Sequence, residues 1–126
     1  MTELKDLAET TKKKLGLKYN AESVKYIEGF IDRTRESVDS EKSDGFVASL
    51  GAFIGQCIIE NFGGKWNQDE NGNICVEFDE QNRVYPFAKV KKQFDGGEGD
   101  RVYSFYSIIP KIFNKENPNK RKWWRK

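Results

Sequence analysis

The sequence reads as an α+β domain in which two to three helices pack on a small three-stranded antiparallel sheet, a meander. Apolar residues recur at three- and four-residue steps through the first half, the mark of helices with one buried face. After Gly63-Gly64 the pattern turns to alternation, and Asn71-Gly72 supplies a hairpin turn. A last helical stripe follows near the C-terminus. The chain has 126 residues, the size of one domain. The domain is expected over 1–113, with 114–126 as a basic, Trp-containing flexible tail.

Leu4, Leu7, Ala8, Thr11 and Leu15 share one face of a first helix, with Gly16 as its C-cap. Its other face is Lys and Glu, so residues 1–16 are expected to be loosely attached. Asn20 caps a second helix whose stripe is Val24, Ile27, Phe30, Ile31, Thr34 and Val38. A polar link, Asp39 to Asp44, is expected to end in a Ser43/Asp44 cap before a third helix over Gly45 to Phe62. That third helix is apolar over more than half its circumference, which makes it central.

Within it, LGAFIGQC places Gly51 and Gly55 four residues apart. Each glycine weakens a helix by roughly 0.5–1 kcal/mol relative to alanine. Their groove is therefore expected to be a seam where another element packs close, with a ligand or partner approaching the backbone as the other possibility. Gly63 and Gly64 close that helix.

Three strands should follow. Lys65 to Asp69 carries Trp66; Ile74, Val76 and Phe78 alternate with Cys75, Glu77 and Asp79. Arg83 to Phe94 reads as the third strand, with Pro86 at an edge or bend. GGEGD, residues 96–100, matches no phosphate-binding pattern and its acids would repel a phosphate. It reads as a flexible loop ending in an Asp100 cap for a last helix carrying Val102, Phe105, Tyr106 and Ile109.

Composition removes several chemistries. The absence of histidine excludes His-based triads, His-ligated zinc and a histidine pH switch. The two cysteines, Cys57 and Cys75, lack CxxC spacing and read as buried free thiols. No cofactor motif is present, and no metal site is expected. The N-terminus lacks a signal-peptide core, and no uninterrupted apolar run reaches the roughly 18 residues of a membrane span, so a cytoplasmic location is expected.

Charge is unevenly spread. From Asn114 onward there are six Lys/Arg and one Glu, net +5, so residues 1–113 carry −3 of the chain's +2. Lys120, Arg121, Lys122, Trp123, Trp124, Arg125 and Lys126 could neutralise phosphates and stack on bases, or contact an acidic surface. A plain solubilising tail is the other reading.

On the sheet, Glu77 and Asp79 share a face about 7 Å apart and are the first candidates for acid–base work. Exposed acids on a wet face look the same. Lys89 and Lys91 share a face of the third strand, where they could pair with Glu77 and Asp79 or form a mixed-charge binding face. Trp66 and Tyr85 are core residues or interface anchors.

Taken in order, SVKYIEGFIDRTR, LGAFIGQCIIENFGGKW, VYPFAKVKKQFDGGEGD and VYSFYSIIPKIF resemble a family of small bacterial domains of unknown function. The shared features are an LGxxxG helix, a GGxW exit, a PFxKV strand and an SFY helix, over roughly residues 18–113. In that pattern an acid often follows the second glycine of the helix; here it is Gln56. The resemblance implies no activity. Chains of this size and style often accompany bacterial toxin loci as immunity proteins, an association only.

Three functions follow as expectations. The first is a non-enzymatic protein-interaction domain, immunity-like in its narrower form, that binds another protein through the wet face of the sheet or the acidic surface. The second is a nucleic-acid-associated protein that docks through its tail. The third is a carboxylate- and Lys-dependent enzyme with Glu60, Glu77 or Lys89 in a deep pocket. Monomer and dimer are equally compatible with the sequence.

Overall fold

The computed structural model describes residues 2–96 and 101–112. The class is α+β, with five helices and a three-stranded antiparallel meander in the order β1-β2-β3. The helices are α1 (Thr2–Leu15), α2 (Ala21–Thr34), α3 (Ser40–Phe62), α4 (Pro86–Phe94) and α5 (Val102–Ile112). The strands are β1 (Lys65–Gln68), β2 (Ile74–Asp79) and β3 (Asn82–Val84). The tail and the end of GGEGD lie outside the described residues, and so does the Asp100 cap.

Helix α3 organises the rest, and α1, α4, β2 and α5 all contact it. Leu50 through Ile58 are buried without a break. By length and composition α3, with 23 residues, is long and apolar enough to cross a membrane, which the interrupted apolar pattern had not suggested. In this fold it is the core helix.

Its start differs from expectation. The N-cap is Asp39, whose carboxylate accepts from the Lys42 amide at 2.8 Å, not Ser43 or Asp44. The first turn is exposed, so no apolar stripe marked it, although Glu41 suits the positive end of the helix. At the other end Gly63 and Gly64 take φ of +90° and +93°, which a side chain would strain, and the Gly63 amide closes on the Ile59 carbonyl.

In the sheet, β1 and β2 pair Trp66 with Val76 and Asn67 with Cys75. Strands β2 and β3 pair Val76 with Val84 and Glu77 with Arg83, with a register shift before Asp79. The expected long third strand is corrected: it stops at Val84, and Pro86 opens helix α4. Proline at a first helical position has its φ already set and no amide hydrogen to leave unpaired. Val90 and Phe94 are buried and Phe87 half-buried, a three- and four-residue spacing that serves a helix. Lys89, Lys91 and Lys92 are thus on a helix.

The two seam glycines each receive an aromatic ring. A Cβ on Gly51 would clash with the edge of the Phe87 ring, and one on Gly55 with the Trp66 indole. These rings lie 5.8 Å apart, and the Trp66 Nε1–H donates to Gln56 Oε1 at 3.0 Å. The seam therefore joins α3 to β1 and α4.

A buried amide ties the remaining helices. Gln93, 2% exposed, donates through Nε2 to the Glu28 carbonyl at 3.1 Å and to Asp32 Oδ1 at 3.0 Å. Its Oε1 accepts from the Val102 amide at 3.0 Å, so one side chain links α4, α2 and the start of α5. Glu28 accepts from the Tyr103 amide at 3.1 Å, and Arg101 bridges Glu28 and Asp32.

Helix α1 lies along α3 with Ala8 and Thr11 buried and Leu4, Leu7 and Leu15 half-buried. The Tyr19 hydroxyl donates to Glu9 Oε2 at 2.8 Å, and its ring stacks on Phe53 with centroids 5.1 Å apart.

Candidate functional site

Four elements meet around a groove of about 650 Å³. Leu4 and Leu7 come from α1, and Asp44, Val47 and Ala48 from α3. The β1–β2 turn brings Gly72 and Asn73, β2 brings Ile74, and Tyr85, Phe87 and Ala88 close the far side. The walls are mainly apolar because α1 and α3 both turn small or aliphatic side chains toward it. Phe87 belongs to the seam and to the groove at once, since Gly51 lets its ring lie close to α3.

The polar lining is Asp44, Asn73 and Tyr85, and Asp69 stands behind Tyr85. Tyr85 donates its hydroxyl to Asp69 Oδ2 at 2.9 Å, which raises the phenol above its ordinary value. Asp69 also accepts from the Asn71 and Asn73 amides at 2.9 Å each, which shapes the turn. Those bonds, led by the Asn73 amide, hold the Asp69 carboxyl below the usual range. Asp44 lies on the groove wall, one turn after Glu41.

The face of β2 that carries Cys75, Glu77 and Asp79 was expected to be wet, but Cys75 is buried and Glu77 half-buried there, and the acids have other company. Glu77 Oε1 accepts from Asn67 at 2.7 Å, and Oε2 forms an ion pair with Arg83 at 3.1 Å. The Asn67 bond first, and then Arg83, keep the Glu77 carboxyl below the usual range. Asp79 accepts from the Gln81 amide and the Asn82 side chain, all at 2.9 Å, and shapes the β2–β3 turn.

The pairing of these acids with strand lysines is corrected. Lys91 pairs with Asp95 at 3.4 Å, and Lys89 sits over the Phe105 ring at 5.8 Å. Glu60 accepts from Gln56 at 3.0 Å on α3. Among the described residues, Glu60, Glu77 and Lys89 thus meet different partners, Gln56, Arg83 and Phe105. Glu77 and Asp79 do line one shallow depression of about 420 Å³, beside Lys65 and Glu80. A general acid at neutral pH needs a raised carboxyl, and Glu77 is shifted the other way.

Cys57 and Cys75 are free and buried. Burial pushes the Cys57 thiol up to about 11, where Asn61 Nδ2 lies 3.6 Å away. Burial also raises the Cys75 thiol. Such thiols are inert packing groups. Among the described residues, no cluster of three or more acidic or sulfur side chains could hold a metal ion.

Of the residues singled out in the sequence, Tyr85 reaches the groove, Gly51 stands behind its wall, and Gly55, Gly63 and Gly64 shape α3 and its exit. Lys120, Arg121, Lys122, Trp123, Trp124, Arg125 and Lys126 lie outside the described residues. Leu4, Leu7, Asp44, Val47, Ala48, Ile74, Phe87 and Ala88 were missed as a site. They are widely separated in sequence, and the available local signal was the Leu4/Leu7 stripe.

Comparison with known protein families, with curated proteins and with solved structures found no match to this chain. What the groove does is therefore read from its own geometry.

Proposed function

We propose that this chain is a non-enzymatic protein-interaction domain whose groove takes an amphipathic segment of a partner protein, apolar on one side and carrying Lys or Arg on the other. The observation that carries this reading is the open, mainly apolar groove of about 650 Å³ with Asp44 on its wall and the Tyr85–Asp69 pair at its edge. A groove of that kind suits two or three apolar anchors. The acids favour a cationic flank on the partner through charge complementarity. An immunity-like role, with a toxin as the partner, is the narrower form of the same reading.

The test is a peptide-display selection on the full chain, followed by binding measurements on synthetic peptides. Enriched peptides are expected to carry apolar residues three or four apart with flanking Lys or Arg. Ala88 is exposed and lines the groove, so Ala88→Glu places charge in it without disturbing the core. Binding should fall at least tenfold in Ala88→Glu and weaken in Asp44→Lys. Enriched peptides that bind Ala88→Glu as well as the parent chain would overturn the reading, as would a selection with no enrichment.

A further inference from the structure

Helix α1 is long for what it buries. Over its 14 residues only Ala8 and Thr11 are buried, both small. Unfilled space lies along it at two places. Beside its first half is the groove of about 650 Å³, reached by Leu4 and Leu7. Beside its second half is a cavity of about 160 Å³, lined by Thr11 and Leu15 and by Phe30, Phe46 and Leu50. On α3 the groove uses Asp44, Val47 and Ala48, while the cavity uses Phe46, Ser49 and Leu50. At 100° per residue these sets fall on opposite sides of α3, so α1 has open space along both flanks of its contact with α3.

Among the described residues, the side-chain tie of α1 to the body is made through Tyr19. Tyr19 donates to Glu9 at 2.8 Å, and Lys12 Nζ lies 5.2 Å from the Tyr19 ring centroid. Tyr19 itself is anchored by its stack on Phe53. The helix is thus pinned at its middle and second half to a ring that belongs to the body, and its first half rests on half-buried leucines.

We infer that α1 is a strap that opens from α3 as one unit, with the Tyr19–Glu9 bond as its latch. Opening would uncover the face of α3 that lies between the groove and the cavity, and so extend the groove to accept a longer partner segment. The role in partner binding rests on the groove reading; the opening itself does not, and it is measured in the free chain.

The experiment is amide hydrogen exchange on the full chain and on Tyr19→Phe. The variant keeps the ring for Phe53 and Lys12 and removes only the donor to Glu9. A strap predicts that the amides of α1 beyond its first turn share a single opening free energy, below that of Leu50 to Ile58 in α3. It predicts that Tyr19→Phe speeds exchange of all those α1 amides by one common factor, about tenfold for a charge-assisted hydrogen bond, and leaves α3 unchanged. A gradient of exchange from the N-terminus, with the variant affecting only the last turn, would mean end fraying and overturn the inference. Exchange of α1 together with α3 would overturn it too. If the strap opens but no peptide is ever enriched, the groove reading fails and the opening stands.

Discussion

Replacing Gly55 by alanine isolates the reason for glycine in α3. In an open helical position the change stabilises by about 1 kcal/mol, because glycine is the poorer helix former. Gly45 is such a position, with nothing within 4 Å of a Cβ. At Gly55 the added methyl meets the Trp66 indole. Trp66 is held on its other sides by Phe87 and by the hydrogen bond to Gln56, so the ring moves only at the expense of those contacts. Overpacking of this kind costs about 1–3 kcal/mol, and loss of the Trp66–Gln56 bond about 1 kcal/mol more. After the helix gain of about 1 kcal/mol, a net loss of roughly 2 kcal/mol remains, or a fall in Tm of about 8 °C for a domain of this size. Thermal and urea unfolding of Gly45→Ala, Gly55→Ala and Gly55→Ala/Trp66→Phe would measure it. Gly45→Ala should rise in stability, Gly55→Ala should fall, and the smaller ring in the double variant should recover part of the loss. A Gly55→Ala protein stabilised as much as Gly45→Ala would show that the seam is not close-packed and refute the reasoning.

Gln93→Leu should destabilise the chain by about 2–3 kcal/mol in urea, because the Val102 amide loses its acceptor in a buried place. Asp39→Ala should cost about 1 kcal/mol, and Ser43→Ala much less, since the α3 cap is Asp39. Stability should be fully present above the ordinary carboxylate range and fall as pH drops below about 4, because Asp32, Asp69 and Glu77 are all held below their ordinary values in the fold. The unfolded state binds protons first, so the loss begins at the unfolded values and ends at the lower folded ones. Unfolding free energies measured between pH 6 and 2.5 should show a shallower acid slope in Glu77→Gln and in Asp32→Asn.

Where periodicity and capping agreed, the sequence was legible. Asn20 and the stripe from Val24 to Ile31 marked α2, and Asn71-Gly72 marked the hairpin. Residues 84–94 were ambiguous because Tyr85, Phe87 and Val90 fit a strand over their first steps, while 87, 90 and 94 fit a helix. The deciding residue was Pro86, which ends the sheet ladder and starts a helix with equal ease. The exposed opening turn of α3 had no apolar residue to reveal it, only a cap at Asp39. A strand over residues 83–94 would bring lysines to Glu77; with α4 there instead, its cation is Arg83, directly opposite in the ladder. The groove left no local trace. Leu4, Val47, Ile74 and Phe87 each look like ordinary core residues until the fold leaves a gap between them.

The glycine seam and the groove are consequences of one packing choice. With no side chain at Gly51, Phe87 settles against α3, and with none at Gly55 Trp66 settles beside it. That close approach lets α4 follow directly on β3, joined through Tyr85 alone, so Tyr85 and Phe87 arrive at the same wall. A larger residue at Gly51 would push Phe87 outward, into the space the groove occupies. The two readings open for the glycines, internal packing and close approach by a ligand, are therefore not alternatives at Gly51. Packing there sets how much of the groove stays empty, and a partner bound in it would touch the ring that the glycine accommodates.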